Sequence, residues 1–104
     1  MNDLETLEQF EESYYREHPE EIDTYLRVAF EEYAKDSNSA ALLDSLRVIG
    51  RVKGISKIAS ETGLSRAGVQ KVLSEDGNPT LTSLTTIMEA MGYRLRFFPE
   101  RLTP

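Results

Sequence analysis

Ile55-Ser-Lys-Ile-Ala-Ser-Glu-Thr-Gly-Leu-Ser-Arg-Ala-Gly-Val-Gln-Lys-Val-Leu-Ser74 reads as two short helical patterns, Ser56–Thr62 and Arg66–Ser74, joined by a turn that contains a glycine. Each small or apolar position has a steric task. Ala59 falls where the two helices cross closely, and a larger side chain there would wedge them apart. Gly63 sits in the turn, where a positive φ carries no Cβ penalty. Leu64 follows as an apolar plug, while Ile58, Val69 and Val72 clamp the pair from inside. Ser65 is placed to cap the second helix by accepting a backbone N–H two or three residues on. The outward positions of the second helix are then Arg66, Ala67, Gln70, Lys71 and Ser74, and no carboxylate occurs from Arg66 to Ser74.

That outward face has the side chains that grip nucleic acid. Arginine can donate two hydrogen bonds to guanine, and glutamine can pair with adenine. Lysine and serine more often hold phosphate. In a DNA-reading pair of this kind the early residues of the second helix face base edges in the major groove. The expected base readers are therefore Arg66, Ala67 and Gln70. Lys57, Ser65, Lys71, Ser74 and Asn78 are the expected phosphate contacts. Gly68 is expected to leave the helix face bare for close approach, at a cost of about 1 kcal/mol in helix stability relative to Ala. An ordinary helical hairpin inside an all-α core would give part of the same pattern.

Working outward, the flanking segments are also helical. Before the pair, Asp36-Ser37-Asn38-Ser39 is a polar break, and Leu42, Leu43, Leu46, Ile49 and Val52 mark a helix from Ala40 to about Lys53, ended by Gly54. Earlier still, Ile22, Tyr25, Leu26, Ala29, Phe30 and Tyr33 form a continuous apolar stripe at helical spacing. Pro19 suits the first turn of that helix. Leu4, Leu7, Phe10, Tyr14 and Tyr15 suggest a further helix over Asp3–Glu17, and the aromatic residues of both are expected to pack against each other as core, with a partner groove as the alternative. After the pair, Gly77-Asn78-Pro79 is a turn. Thr80-Leu81 opens a helix with Leu84, Ile87, Met88 and Met91 on one side. Tyr93-Arg94-Leu95-Arg96-Phe97 alternates apolar with basic, which is the signal of a strand. A lone strand has unpaired edges, so these five residues are expected to pair with another segment of the chain, with the same strand of a second subunit or with another protein; a short extended tail packed on the chain's own helices is the alternative. The expected fold is all-α, five to six helices with a short C-terminal β-strand. Residues 1–38 form an acidic helical extension packed on the core, 39–98 the DNA-binding domain, and 99–104 a tail.

The 104 residues carry a net charge of −6, yet the charge is divided along the chain. Residues 1–38 hold twelve carboxylates against three cations, whereas residues 39–104 hold six against nine. Salt screens charges beyond about 8–10 Å, so DNA would meet the basic half rather than the total. There is no cysteine, which excludes disulfides and thiolate metal sites. No apolar run approaches the roughly 18 residues of a membrane span, and the acidic start lacks the basic region of a signal peptide. The expected location is cytoplasmic. His18, the single histidine, has no identifiable partners for metal or acid–base work, and no phosphate-cradling glycine loop occurs. Neither an enzyme nor a cofactor is expected.

Residues from about Tyr25 to Phe97 resemble the addiction-module antidote family, the HigA-like antitoxins within the lambda-repressor-like (Xre/Cro) helix-turn-helix group. The likeness rests on Tyr25-Leu26, Ala59, Thr62-Gly63-Leu64-Ser65-Arg66, Lys71-Val72-Leu73-Ser74, Gly77-Asn78-Pro79-Thr80 and Met91-Gly92-Tyr93. The resemblance implies a cytoplasmic homodimer that binds double-stranded operator DNA at its own promoter. It also implies the antitoxin role in a type II toxin–antitoxin pair, with a small basic toxin of the RelE/ParE kind as partner. It places Ser65, Arg66, Gln70 and Lys71 at the DNA. A stand-alone prophage-type repressor, or an interaction module without DNA binding, are the competing expectations.

Overall fold

Thr6 opens the first helix with a reciprocal cap. Its Oγ1 accepts the Gln9 N–H at 3.1 Å, and the Gln9 side chain accepts the Thr6 N–H at 2.8 Å. In the computed structural model, which describes residues 6–103, this begins α1 at Leu7–Glu17. The rest follows as a 3-10 turn at Pro19–Glu21, α2 Ile22–Asp36, α3 Ser39–Lys53, α4 Ile55–Thr62, α5 Arg66–Val72 and α6 Leu81–Ala90. The part of the expected first helix at Asp3–Glu5, with Leu4, and the last tail residue Pro104 lie outside the described residues. Asn38 caps α3 through the Ala41 N–H and Thr80 caps α6 through the Ser83 N–H, each at 3.0 Å. No helix among the described residues is long and apolar enough to cross a membrane.

The core forms around α3, whose Leu42, Leu43, Leu46, Val48, Ile49 and Gly50 are all buried. An apolar stripe this wide is needed because α2 packs on one side of α3 and α4 on another. Ile22 and Leu26 of α2, Ile58 of α4, Val69 of α5 and Ile87 and Met88 of α6 join the same buried cluster. Each large apolar side chain removed from water here contributes roughly 1.5–3 kcal/mol before entropy is counted.

Helix α1 docks the other way round from the expectation. Glu8, Glu11, Glu12 and Tyr15, at i, i+3, i+4 and i+7, are its partly buried face. Apart from Tyr15, its apolar residues face outward, with Leu7 74% exposed and Phe10 and Tyr14 also exposed. The reason is the surface that α3 offers. Arg47 donates to Glu8 at 2.9 Å, and the Arg16 guanidinium donates to the Arg51 carbonyl at 3.0 Å. These polar contacts, together with Tyr15 packed on Tyr25 at 4.5 Å between ring centres, go with this rotation of α1. Of the expected aromatic core, Tyr15, Tyr25 and Phe30 pack half-buried against the cluster, while Phe10, Tyr14 and Tyr33 do not.

The expected strand at Tyr93–Phe97 is not formed; there is no strand among the described residues. The alternation is real, since Tyr93 and Leu95 are half-buried and Arg94 and Arg96 exposed. What is missing is a neighbouring extended backbone to complete a ladder. Instead the Tyr93 N–H donates to the Met88 carbonyl at 2.9 Å, and its hydroxyl donates to Asp23 at 2.6 Å.

Burial pushes the Tyr25 and Tyr93 phenols up to about 12, helped at Tyr93 by the hydrogen bond to Asp23. A raised folded-state value means that the unfolded chain loses its protons first as pH rises. The stabilisation is therefore complete below pH 10 and disappears between 10 and about 12. In an ultraviolet phenolate titration, two of the five tyrosines are expected to ionise late, together with loss of helical signal. Five tyrosines titrating as one group near 10 would contradict this packing.

Candidate nucleic-acid interface

The unit α4–turn–α5 is built from the residues that the spacing singled out. Ile58 and Val69 are fully buried, Ala59 nearly so, and Val72 is half-buried beside fully buried Leu73. Gly63 ends α4 with φ 79°, and its N–H donates to the Ala59 carbonyl at 3.0 Å. Ser65 then starts α5 in extended backbone, and its Oγ accepts the Gly68 N–H at 2.9 Å. Two of the expected tasks differ. Leu64 does not plug the turn; it is 37% exposed, and its N–H is taken by the Thr62 hydroxyl at 3.2 Å. Gly68 does not bare the outward face. A Cβ there would lie 3.2 Å from the Ser65 Oγ and 3.7 Å from the Leu64 Cβ, so the glycine makes room for the capping turn.

With Val69 and Leu73 pointing inward, helical phase leaves Arg66, Ala67, Gln70 and Lys71 exposed. Lys57 on α4, Ser65 at the cap and Asn78 in the loop after α5 are exposed as well. Ser74 is half-buried, and its hydroxyl donates to the Lys71 carbonyl at 2.7 Å. The Arg66 guanidinium donates to the Ser56 hydroxyl. This contact ties the start of α5 to α4 and fixes the direction in which the arginine leaves the helix. At the far end of the chain, Arg94, Arg96 and Phe97 are exposed, and Lys53 lies 5.6 Å from the Tyr93 ring centre.

Two cations beside this face were not singled out from sequence. Arg47 and Arg51 line a shallow hollow with Gln70, Ser74 and Glu75. Arg47 donates to the Leu73 carbonyl at the end of α5, as well as to Asp44 and Glu8. Arg51 is the freer of the two, with Glu8 at 4.0 Å. The available signal was their i, i+4 spacing on a helix that is otherwise apolar around its middle.

The arrangement offers hydrogen-bond donors on one exposed helix face, with a preorganised cap and no acid from Arg66 to Ser74. A family profile described as "Probable addiction module antidote protein" matches residues 6–99. An uncharacterized protein of Haemophilus influenzae is 33% identical over 92 residues, covering 88% of this chain and 91% of its own length. No solved structure matches. The family match includes α1, beyond the Tyr25–Phe97 stretch that carried the resemblance. From the capped start of α1 through the segment after α6, the chain belongs to the addiction module antidote family.

Proposed function

We propose that this chain is a DNA-binding autorepressor and the antitoxin of a type II toxin–antitoxin pair, built on a lambda-repressor-like helix-turn-helix. The carrying observation is α5 itself: a seven-residue helix, capped by Ser65, that holds Arg66, Ala67, Gln70 and Lys71 outward. Arg66, Ala67 and Gln70 meet base edges, and Lys57, Ser65, Lys71, Ser74 and Asn78 meet phosphate. Membership of an antidote family supports a toxin partner, for which a small RelE/ParE-type protein is the proposed identity. The protein works in the cytoplasm as a homodimer, with Tyr93, Arg94, Leu95, Arg96 and Phe97 at or near its contact with a second copy. Two copies place two α5 helices on successive turns of one duplex.

Fluorescence anisotropy on DNA from upstream of the gene, against a scrambled duplex, tests the reading. Arg66→Ala is expected to lose roughly 1–3 kcal/mol of preference for the upstream duplex. Lys71→Ala is expected to weaken both duplexes alike and to make the salt slope shallower by about one unit. Equal, weak binding of the unaltered protein to both duplexes, with neither variant changing it, would refute DNA reading by α5.

A further inference from the structure

Two surfaces of this molecule lack a partner, and their chemistries are complementary. The first is an open groove of about 580 Å³ between α2 and α3. Tyr25, Val28, Ala29, Tyr33 and Leu42 supply its apolar wall and floor. The small side chains of Ala29 and Ala41 keep it open, and Val28 is 46% exposed although it stands among apolar neighbours. Glu20, Glu21, Glu32 and Asp36 line it too, and no lysine or arginine does. Glu21 accepts the Tyr14 hydroxyl, and Glu32 meets Lys35 at 3.7 Å across solvent. Such an exposed pair contributes little, so the acidic character of the groove persists.

The second surface is the segment after α6. Tyr93 and Leu95 are held against the body of the protein, but the chain beyond them is not. Phe98 is 75% exposed, Leu102 91%, and Phe97 is exposed beside them. Arg96 lies over the Phe98 ring at 5.3 Å, and Arg101 follows Glu100, so residues 96–103 carry two cations and one carboxylate. Adjacent aromatic side chains left in water beside cations mark a contact surface.

We propose that the groove between α2 and α3 receives residues 96–103 of a second copy of this chain, with Phe97 and Phe98 on its apolar floor and Arg96 and Arg101 at its carboxylates. The lengths agree. From Thr24 to Asp36 the groove follows about 18 Å of helix. Eight extended residues reach about 26 Å. None of residues 94–103 lines the groove of its own chain. If each copy gives its tail to the other, the contact is twofold and closed, as a dimer requires. The inference rests on the homodimer of the preceding reading. It differs from pairing of the two Tyr93–Phe97 segments across the axis.

The chain has no cysteine, so Thr103→Cys gives one attachment point for a nitroxide. Unlabelled tagged protein is mixed with untagged ¹⁵N-labelled protein, and relaxation enhancement is read between copies. Broadening of amides near Val28, Glu32, Asp36 and Ala41 in the untagged copy is the expected result. Val28→Asp, at an exposed site, is expected to raise the dimer dissociation constant in sedimentation velocity at least tenfold, and so is the double change Phe97→Ser, Phe98→Ser. Broadening confined to residues 93–98 would establish pairing across the axis and overturn the groove while keeping the dimer. Broadening seen only when tag and label share one chain would give the groove to the chain's own tail, and would also overturn the proposal. A monomer at the concentration of the spectra would remove the dimer and the proposal together, leaving the anisotropy test of α5 to stand or fall by itself.

Discussion

Gly77→Ala is expected to destabilise the fold by about 3 kcal/mol, near the upper end for overpacking. A Cβ at this position would sit 2.3 Å from the Val72 carbonyl oxygen and 2.9 Å from that of Ser74. Both obstacles are backbone, so no side chain can turn aside. The Gly77 N–H also donates to the Ser74 carbonyl at 2.9 Å, so relieving the clash breaks the turn that follows α5. Gly63 provides the contrast. Its φ is 79° but nothing lies within 4 Å of a built Cβ, so Gly63→Ala carries only the left-handed backbone cost of about 1–2 kcal/mol. Gly63→Asn should recover part of that, because Asn visits this region more readily. At Gly77, Asn should be no better than Ala. Urea denaturation of the four variants gives the ranking; a Gly77→Ala protein as stable as Gly63→Ala would refute the close approach. Since domains of this kind are held by roughly 5–15 kcal/mol in total, the larger effect should also lower the amount of folded protein in cells.

Arg47→Ala is the second large effect, about 1–3 kcal/mol. One guanidinium reaches Glu8 of α1, Asp44 of its own helix and the Leu73 carbonyl at the end of α5. Leu73 is wholly buried, so losing the donor leaves a carbonyl away from water without its charged partner. Arg47→Lys should rescue little, because a single ammonium cannot reproduce a planar fork aimed at three acceptors. Glu8→Ala, by contrast, removes a partly solvated partner and should cost less than about 1 kcal/mol. Equal stability of Arg47→Ala and the unaltered protein would mean that the end of α5 holds without this joint. Weakened DNA binding by a folded Arg47→Ala protein would follow from fraying of the same helix end.

The parts of the fold that were legible are those governed by apolar periodicity and caps. The stripe from Ile22 to Tyr33, the leucines of α3 and the Gly63–Ser65 turn each gave one consistent pattern, and all are helices or turns where expected, although Tyr33 at the end of the stripe is exposed. The exposure of Arg66, Ala67, Gln70 and Lys71 followed from the phase of Val69 alone. Reading failed where the decision belonged to a neighbour. Leu7, Phe10 and Tyr14 looked like an inward stripe, but the face turned to α3 is the one that carries Glu8, which meets Arg47 and Arg51, and Tyr15. The Thr6–Gln9 cap has its own signal, a Thr-x-x-Gln spacing, which the apolar pattern does not contain. Gly68 looked like a bare patch on an outward face and turned out to accommodate a serine cap. Tyr93–Phe97 alternates as a strand does, but a ladder needs a second strand, which one chain's alternation does not specify.

The order of helix contacts bears on how the molecule assembles. Among the described residues the more extensive helix contacts are between near neighbours along the chain, α2 with α3, α3 with α4 and α4 with α5, or skip a single helix, as α1–α3 and α4–α6 do. Loops closed by such pairs are short, which places folding toward the microsecond-to-millisecond range. The hydrogen bond from Tyr93 to Asp23 is the exception, since it joins residues 70 apart. Loop-closure entropy grows with loop length, so this bond is expected to form late, once packing of the intervening helices has brought its two ends together. The proposed exchange concerns only residues 96–103, which lie beyond the half-buried Tyr93 and Leu95, so passing these tails between two copies would require no unfolding of either.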